Sequence, residues 1–196
     1  MARRFGFLTV VLLMAPLLAA CASSVAPPTR YLLPGMSSPS IPAAPVVDIQ
    51  VDVPQLAHFL DVDGIVLQLD DIEMREARDH QWGDTLDRQL ARNLRSALAL
   101  SLPATRITRA SNPSREVLTL SLDIDEFQGR YDGYAVASGQ WQLRNADNQL
   151  LHLGSFTQSA ALVDDGYPAL VRALGQAWND VADEIAQTLQ NKGYAR

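Results

Sequence analysis

The 196-residue chain holds one cysteine, Cys21, and one lysine, Lys192, and each scarcity closes off a class of chemistry. A single thiol forms no internal disulfide and no thiolate metal cage. The three histidines, His58, His80 and His152, fall on separate segments without metal-ligand spacing, so no metal site is expected. Positive charge is short as well: 16 basic residues face 22 acidic ones, for a formal charge of −6. Without a basic stripe to neutralise phosphates, nucleic acid is not an expected partner. A Gly-x-Ser-x-Gly elbow and a glycine-rich phosphate loop are both missing. Asp61-Val62-Asp63-Gly64 begins like a calcium loop but lacks the later ligands, and reads as a surface turn. The carboxylate pairs Asp70/Asp71, Asp123/Asp125 and Asp164/Asp165 are accounted for by solvated faces and caps. No catalytic residue and no cofactor is expected, and the chain does not read as an enzyme.

What the sequence does have begins at its N-terminus. Met1-Ala2-Arg3-Arg4 is a short basic leader, followed by an almost wholly apolar stretch from Phe5 to Ala20. That is the build of a secretory signal, and with Pro16 near its end the run is too short for a permanent membrane span. Leu18-Ala19-Ala20-Cys21 resembles a bacterial lipobox, in which the cysteine thiol accepts diacylglycerol and becomes the new N-terminus. Lipidation of Cys21 also explains an unpaired cysteine in an exported chain, and several acyl chains make such anchoring effectively permanent. Ala22, where Asp would favour inner-membrane retention under the enteric rule, points to the periplasmic face of the outer membrane. Loss of Arg3 and Arg4 with the leader takes the formal charge from −6 to −8, which leaves little for a second, electrostatic attachment to anionic lipid.

Residues 1–20 are thus expected to be signal, 21–45 a lipidated tether, and 46–196 one periplasmic domain of about 150 residues, enough for a single core. The tether carries six prolines between Pro27 and Pro45, and a fully extended form would reach about 75 Å. Arg30-Tyr31-Leu32-Leu33 is an apolar island within it, expected to dock on the domain or a neighbour. Strands are expected at 46–53, 65–69 and 72–76, with one helical turn around Leu56 to Leu60. A helix from Asp84 to Leu100 follows, with Leu86, Leu90, Leu94 and Leu98 on one face, Arg88, Arg92 and Arg95 off it, and Asp84 as its N-cap. Alternation from Leu118 to Ile124 marks a half-buried strand, residues 127–133 a turn, and residues 116–160 an antiparallel meander. Tyr167, Leu170, Val171, Leu174, Trp178, Val181, Ile185 and Leu189 define a last helix, with Pro168 at its start and Gly193 past its end. The expected fold class is α/β: a mixed, largely antiparallel sheet packed with two long amphipathic helices in a sandwich, as a single domain. Trp82, Trp141 and Trp178 are expected in the core or at subunit contacts.

Glu126-Phe127-Gln128-Gly129-Arg130-Tyr131-Asp132-Gly133, with Ser138-Gly139-Gln140-Trp141 after it, resembles the paraquat-inducible protein C family of auxiliary lipoproteins of ABC-type and MCE (mammalian cell entry) transport systems. Tyr31-Leu32-Leu33-Pro34, Leu86-Asp87-Arg88-Gln89-Leu90 and Asp165-Gly166-Tyr167 through Trp178 carry the same likeness. The resemblance implies an outer-membrane component moving phospholipid or another hydrophobic compound between membranes. It implies as partners an inner-membrane MCE-family protein, which forms a tube, and its associated permease, with no catalytic residues. A homo-oligomer would match the symmetry of a tube. Arg130, Tyr131 and Asp132, in a turn, and Tyr31 and Leu32, in the tether, are the candidate partner or subunit contacts. The residues themselves leave two other readings open: a lipoprotein holding a small apolar ligand in its own cavity, and a structural envelope lipoprotein.

Overall fold

The computed structural model describes residues 26–35, 45, 47–109 and 117–195. The signal and Cys21 therefore lie outside the described residues. Nine strands and two long helices form a helix-on-sheet sandwich with one contiguous core among them, the α/β class expected.

The spine is β7 (Val117–Gly129), paired along one edge with β8 (Tyr134–Arg144), which pairs in turn with β9 (Leu150–Ala161). These long ladders are antiparallel and joined by tight turns, as the meander reading required. Along its other edge β7 meets three short parallel strands in succession: β2 (Val47–Val51), β3 (Gln55–Leu56) and β4 (Gly64–Gln68). The sheet forks there. β2 continues to β6 (Thr105–Thr108), also parallel, while β4 pairs antiparallel with β5 (Met74–Trp82). At the margin, β1 (Thr29–Tyr31) lies parallel to β5.

The island in the 21–45 segment thus docks on the domain. Beyond β1, Leu33 is buried and its N–H donates to Gln89 Oε1 at 2.8 Å, a backbone donor satisfied by a side chain under cover. Pro34 follows, and its ring fills the space beside Gly175.

The helices are α1 (Leu86–Ser101) and α2 (Tyr167–Asn191). They pack on each other, with α2 across β8 and β9 and α1 beside β6. Leu86, Leu90, Leu94 and Leu98 are all buried, so the leucine stripe is core. Trp82, Trp141 and Trp178 are buried too, and the Trp178 indole donates to the Leu90 carbonyl at 3.1 Å, tying α2 to α1. Past α2, Gly193 takes φ 75°, and the Tyr194 N–H returns to the Leu189 carbonyl, the left-handed helix stop that glycine favours.

Three local expectations are corrected. Asp84 is not the N-cap of α1; Thr85 is. The Asp84 carboxylate instead accepts from the Thr85 N–H at 2.9 Å and pairs with Arg92 at 3.3 Å, which holds it below the usual carboxylate range. β5 spans Met74–Trp82 rather than 72–76; most of its side chains are exposed, so no apolar alternation announces its second half. Phe127, Gln128 and Gly129 belong to β7 and are buried, so the turn begins at Arg130.

Candidate docking surface

Register brings three loops to one end of the sheet. Leu67 of β4 lies opposite Gly129 of β7, Gln68 opposite Met74, and Tyr134 opposite Ala161. The β4–β5 turn, the β7–β8 turn and the β9–α2 loop are therefore neighbours, and the Leu162 N–H donates to the Gly133 carbonyl at 2.9 Å, joining two of them directly.

Each loop offers a large apolar or aromatic side chain to solvent. Ile72 is 87% exposed, Tyr131 64% and Val163 92%, with Tyr134 exposed beside them. Such residues clustered together on a soluble domain mark a contact surface more than scattered ones do. Ile72 is held rather than loose: the Asp70 carboxylate accepts from the N–H groups of Ile72 at 2.9 Å and Glu73 at 2.7 Å, and these bonds hold it below the usual carboxylate range. Around the apolar tips stand Asp70, Asp71, Glu73, Asp132, Asp164 and Asp165, against Arg75 and Arg130, so the end is acidic.

Arg130 and Asp132 are spent mainly on each other. Arg130 Nε donates to Asp132 Oδ1 at 3.2 Å and a second guanidinium nitrogen bonds Asp132 Oδ2. The pair lowers the Asp132 carboxyl and raises the Arg130 guanidinium. Gly133, at φ 84°, lets the hairpin close where another residue would be strained, and its N–H returns to the Arg130 carbonyl. The two charges shape the turn, and Tyr131 between them projects outward.

Tyr31 reaches this region by a chain of rings. Its hydroxyl meets His80 Nδ1 at 3.0 Å, and His80 stacks on Tyr167 with centroids 3.8 Å apart. Tyr167, whose phenol burial pushes up, lines a shallow apolar cavity of about 220 Å³ with Leu67, Leu162, Gly166 and Leu170. Leu32 stands apart: it packs over Gly83, past the other end of β5, and is 61% exposed. The structure therefore brings Arg130, Tyr131 and Asp132 to the docking end, links Tyr31 to it through His80, and leaves Leu32 outside. Ile72 was expected to open a strand at 72–76 but lies in the turn before Met74, and Val163 had no sequence signal, because a lone apolar residue in a polar loop has no periodicity.

The motif segments meet across β7 and β8. Glu126 lies opposite Ser138, which donates to its Oε2 at 2.6 Å, beside a register shift at Ile124/Glu126. At Gly139 any Cβ would sit 2.1 Å from the Asp123 carbonyl oxygen, so only glycine lets the strands approach there. Glu126, Gly139 and Gly133 thus fix the bent, tipped hairpin that carries Tyr131.

Residues 31–186 match the family described as the ABC-type transport auxiliary lipoprotein component. The chain belongs to that family. It is 34% identical over 142 residues to the intermembrane transport lipoprotein PqiC of Escherichia coli (strain K12), covering 72% of each chain, and equally to PqiC of Shigella flexneri. A crystal structure of an uncharacterised protein aligns with a TM-score of 0.74 and 28% identity, covering 84% of this chain and 99% of that one. One from Xanthomonas campestris aligns at 0.66 with 20% identity, covering 85% and 97%, and shows the shared fold. The family is described as a transport auxiliary component, and the resemblance read from residues 126–133 extends over residues 31–186.

Proposed function

We propose that this auxiliary lipoprotein, anchored through lipidated Cys21 on the periplasmic face of the outer membrane, docks the end of an intermembrane transport assembly. The partner is an inner-membrane MCE-family protein with its permease, moving phospholipid or a similarly apolar compound, and the domain acts as a homo-oligomer matched to the partner's axis. Homology to PqiC supports the transport role. The observation that carries docking is the end where Ile72, Tyr131 and Val163 stand exposed among carboxylates. Its occupant should present apolar side chains flanked by arginine or lysine.

The docked island changes the reach of the anchor. Because Thr29 is already held against His80, only eight residues lead back to Cys21, about 27 Å at full extension rather than 75 Å. The domain stays close to its membrane, and a partner from the inner membrane must cross the periplasm to meet it. The 220 Å³ apolar cavity is below the roughly 300–1,000 Å³ of small-molecule pockets, which disfavours an apolar ligand held there.

Photocrosslinking in cells tests the proposal. A photoreactive residue at Val163 or Ile72 should capture the MCE-family protein, and one at Arg172, on the outer side of α2, should not. Equal capture at all three positions, or none at Val163 and Ile72, would reject the docking surface. Cys21→Ser should abolish palmitate labelling, and Ala22→Asp should move the protein toward the inner membrane on a sucrose gradient.

A further inference from the structure

Against the acidic balance of the chain, one concavity is basic. Arg88, Arg92 and Arg95 project from α1 at i, i+4 and i+7, the spacing of one helix face. Arg109, just beyond β6, closes the group from the other side, and Val53 and Ala91 complete a cavity of about 380 Å³. Asp84 is the carboxylate in its lining, and it is engaged by Arg92 at 3.3 Å. Among the described residues, four arginines and one carboxylate therefore line this cavity, in a protein whose formal charge is −6. Arg95 is half-buried, and its protonation is disfavoured by burial and by the nearby charges of Arg109 and Arg92.

Holding like charges together around a partly desolvated guanidinium costs free energy, and among the described residues the cavity lining supplies one carboxylate, too little negative charge to offset it. An anion would. Guanidinium forks match phosphate oxygens two at a time, and three or four around one group provide the donors that a phosphate monoester or diester accepts. The volume falls in the range of small-molecule sites, and the apolar contribution of Val53 and Ala91 leaves room for the carbon atoms next to a phosphate. We propose that the Arg88–Arg92–Arg95–Arg109 cavity is a binding site for a phosphate-bearing small molecule or lipid headgroup. The site is separate from the docking end, and its existence does not depend on the docking proposal.

The test uses the full lipoprotein in a non-ionic detergent, titrated calorimetrically with two probes at constant ionic strength. Inorganic phosphate reads a free-phosphate site; dihexanoyl phosphatidylglycerol reads a headgroup site. Saturable binding of either supports the proposal when it is at least about tenfold weaker in Arg95→Gln/Arg109→Gln and unchanged in Arg172→Gln, the loss expected for charge-assisted bonds. Tighter binding of the lipid probe with no competition from phosphate assigns the headgroup; binding of phosphate alone assigns the free ion. Removing like charge should leave the melting temperature equal or higher, and Arg109→Gln alone, at an exposed position, gives the same reading should the double variant fold poorly. Undiminished binding in the variants, no saturable binding of either probe, or binding of poly-glutamate in their place would overturn the assignment.

Discussion

The two halves of the domain are built on different plans. From Val117 onward the chain forms long antiparallel ladders and a 25-residue helix, each element laid against its sequence neighbour. Before Ala110 it makes strands of two to nine residues, most of them paired in parallel with partners far along the chain. Both halves bury side chains in the one core: Ile49, Ile65, Leu90 and Leu94 come from the first half, and Leu120, Phe127, Trp178 and Ile185 from the second. The proposed docking end lies where the halves meet, joining the β4–β5 turn to the β7–β8 and β9–α2 loops, and the Tyr31–His80–Tyr167 chain crosses from one half to the other.

Breaking the core should produce the largest effect. Trp178 touches Phe127 and Phe156 edge-on and hydrogen-bonds α1, so Trp178→Ala should cost about 3–5 kcal/mol by urea unfolding. A loss under about 1 kcal/mol would show that the halves do not share one core. Next in size is Gln89, whose side chain accepts from the Leu33 N–H and donates to the Asp84 carbonyl at 2.9 Å. Gln89→Ala leaves both backbone groups without it, at about 1–3 kcal/mol. The island should be released in that variant, exposing residues 29–35 to limited proteolysis while the 117–191 core stays protected.

At the docking end, Ile72→Asp with Val163→Asp should leave stability within about 0.5 kcal/mol of the parent, since both side chains already face water. Capture of the partner from a third position, Tyr131, should nevertheless fall away. Loss of folding in this variant would mean that the two residues are structural after all.

The same division decides what could be read in advance. Leu118 to Ile124 and the i, i+3, i+4 pattern of α2 announce themselves because burial on one face imposes a period. β1, three residues in a proline-rich stretch, and β6, Thr105–Thr108, are too short for any period and exist through pairing with β5 and β2. Phe127 to Gly129 look like a turn because of Gly129, yet that glycine is needed for packing: a Cβ there would lie 2.8 Å from Leu170. Of the docking end, Arg130 to Asp132 were legible from turn chemistry. Ile72 and Val163 became meaningful only when the register placed them beside it, and Arg109 only when β6 brought it against α1.

The smallest effect concerns the charges at the hairpin tip, and it separates shaping from recognition. Arg130 lowers the Asp132 carboxyl, so the folded value lies below the unfolded one. A group of that sign stabilises the fold at pH values above its unfolded range and loses that contribution as pH falls through the lowered folded value. In Arg130→Gln the Asp132 carboxyl should rise back toward the ordinary carboxylate range in a carbon-detected NMR titration, because its largest lowering partner is gone. Any difference in melting temperature between parent and variant should shrink to nothing once both are acidified past the folded value. Exchanging the charges, Arg130→Asp with Asp132→Arg, rebuilds the pair with reversed polarity across the same turn. If the pair only shapes the hairpin that presents Tyr131, the exchanged protein should crosslink to its partner as the parent does, while Tyr131→Ser should not. An exchanged protein with an intact hairpin and no crosslink would instead show that the partner reads the two charges themselves.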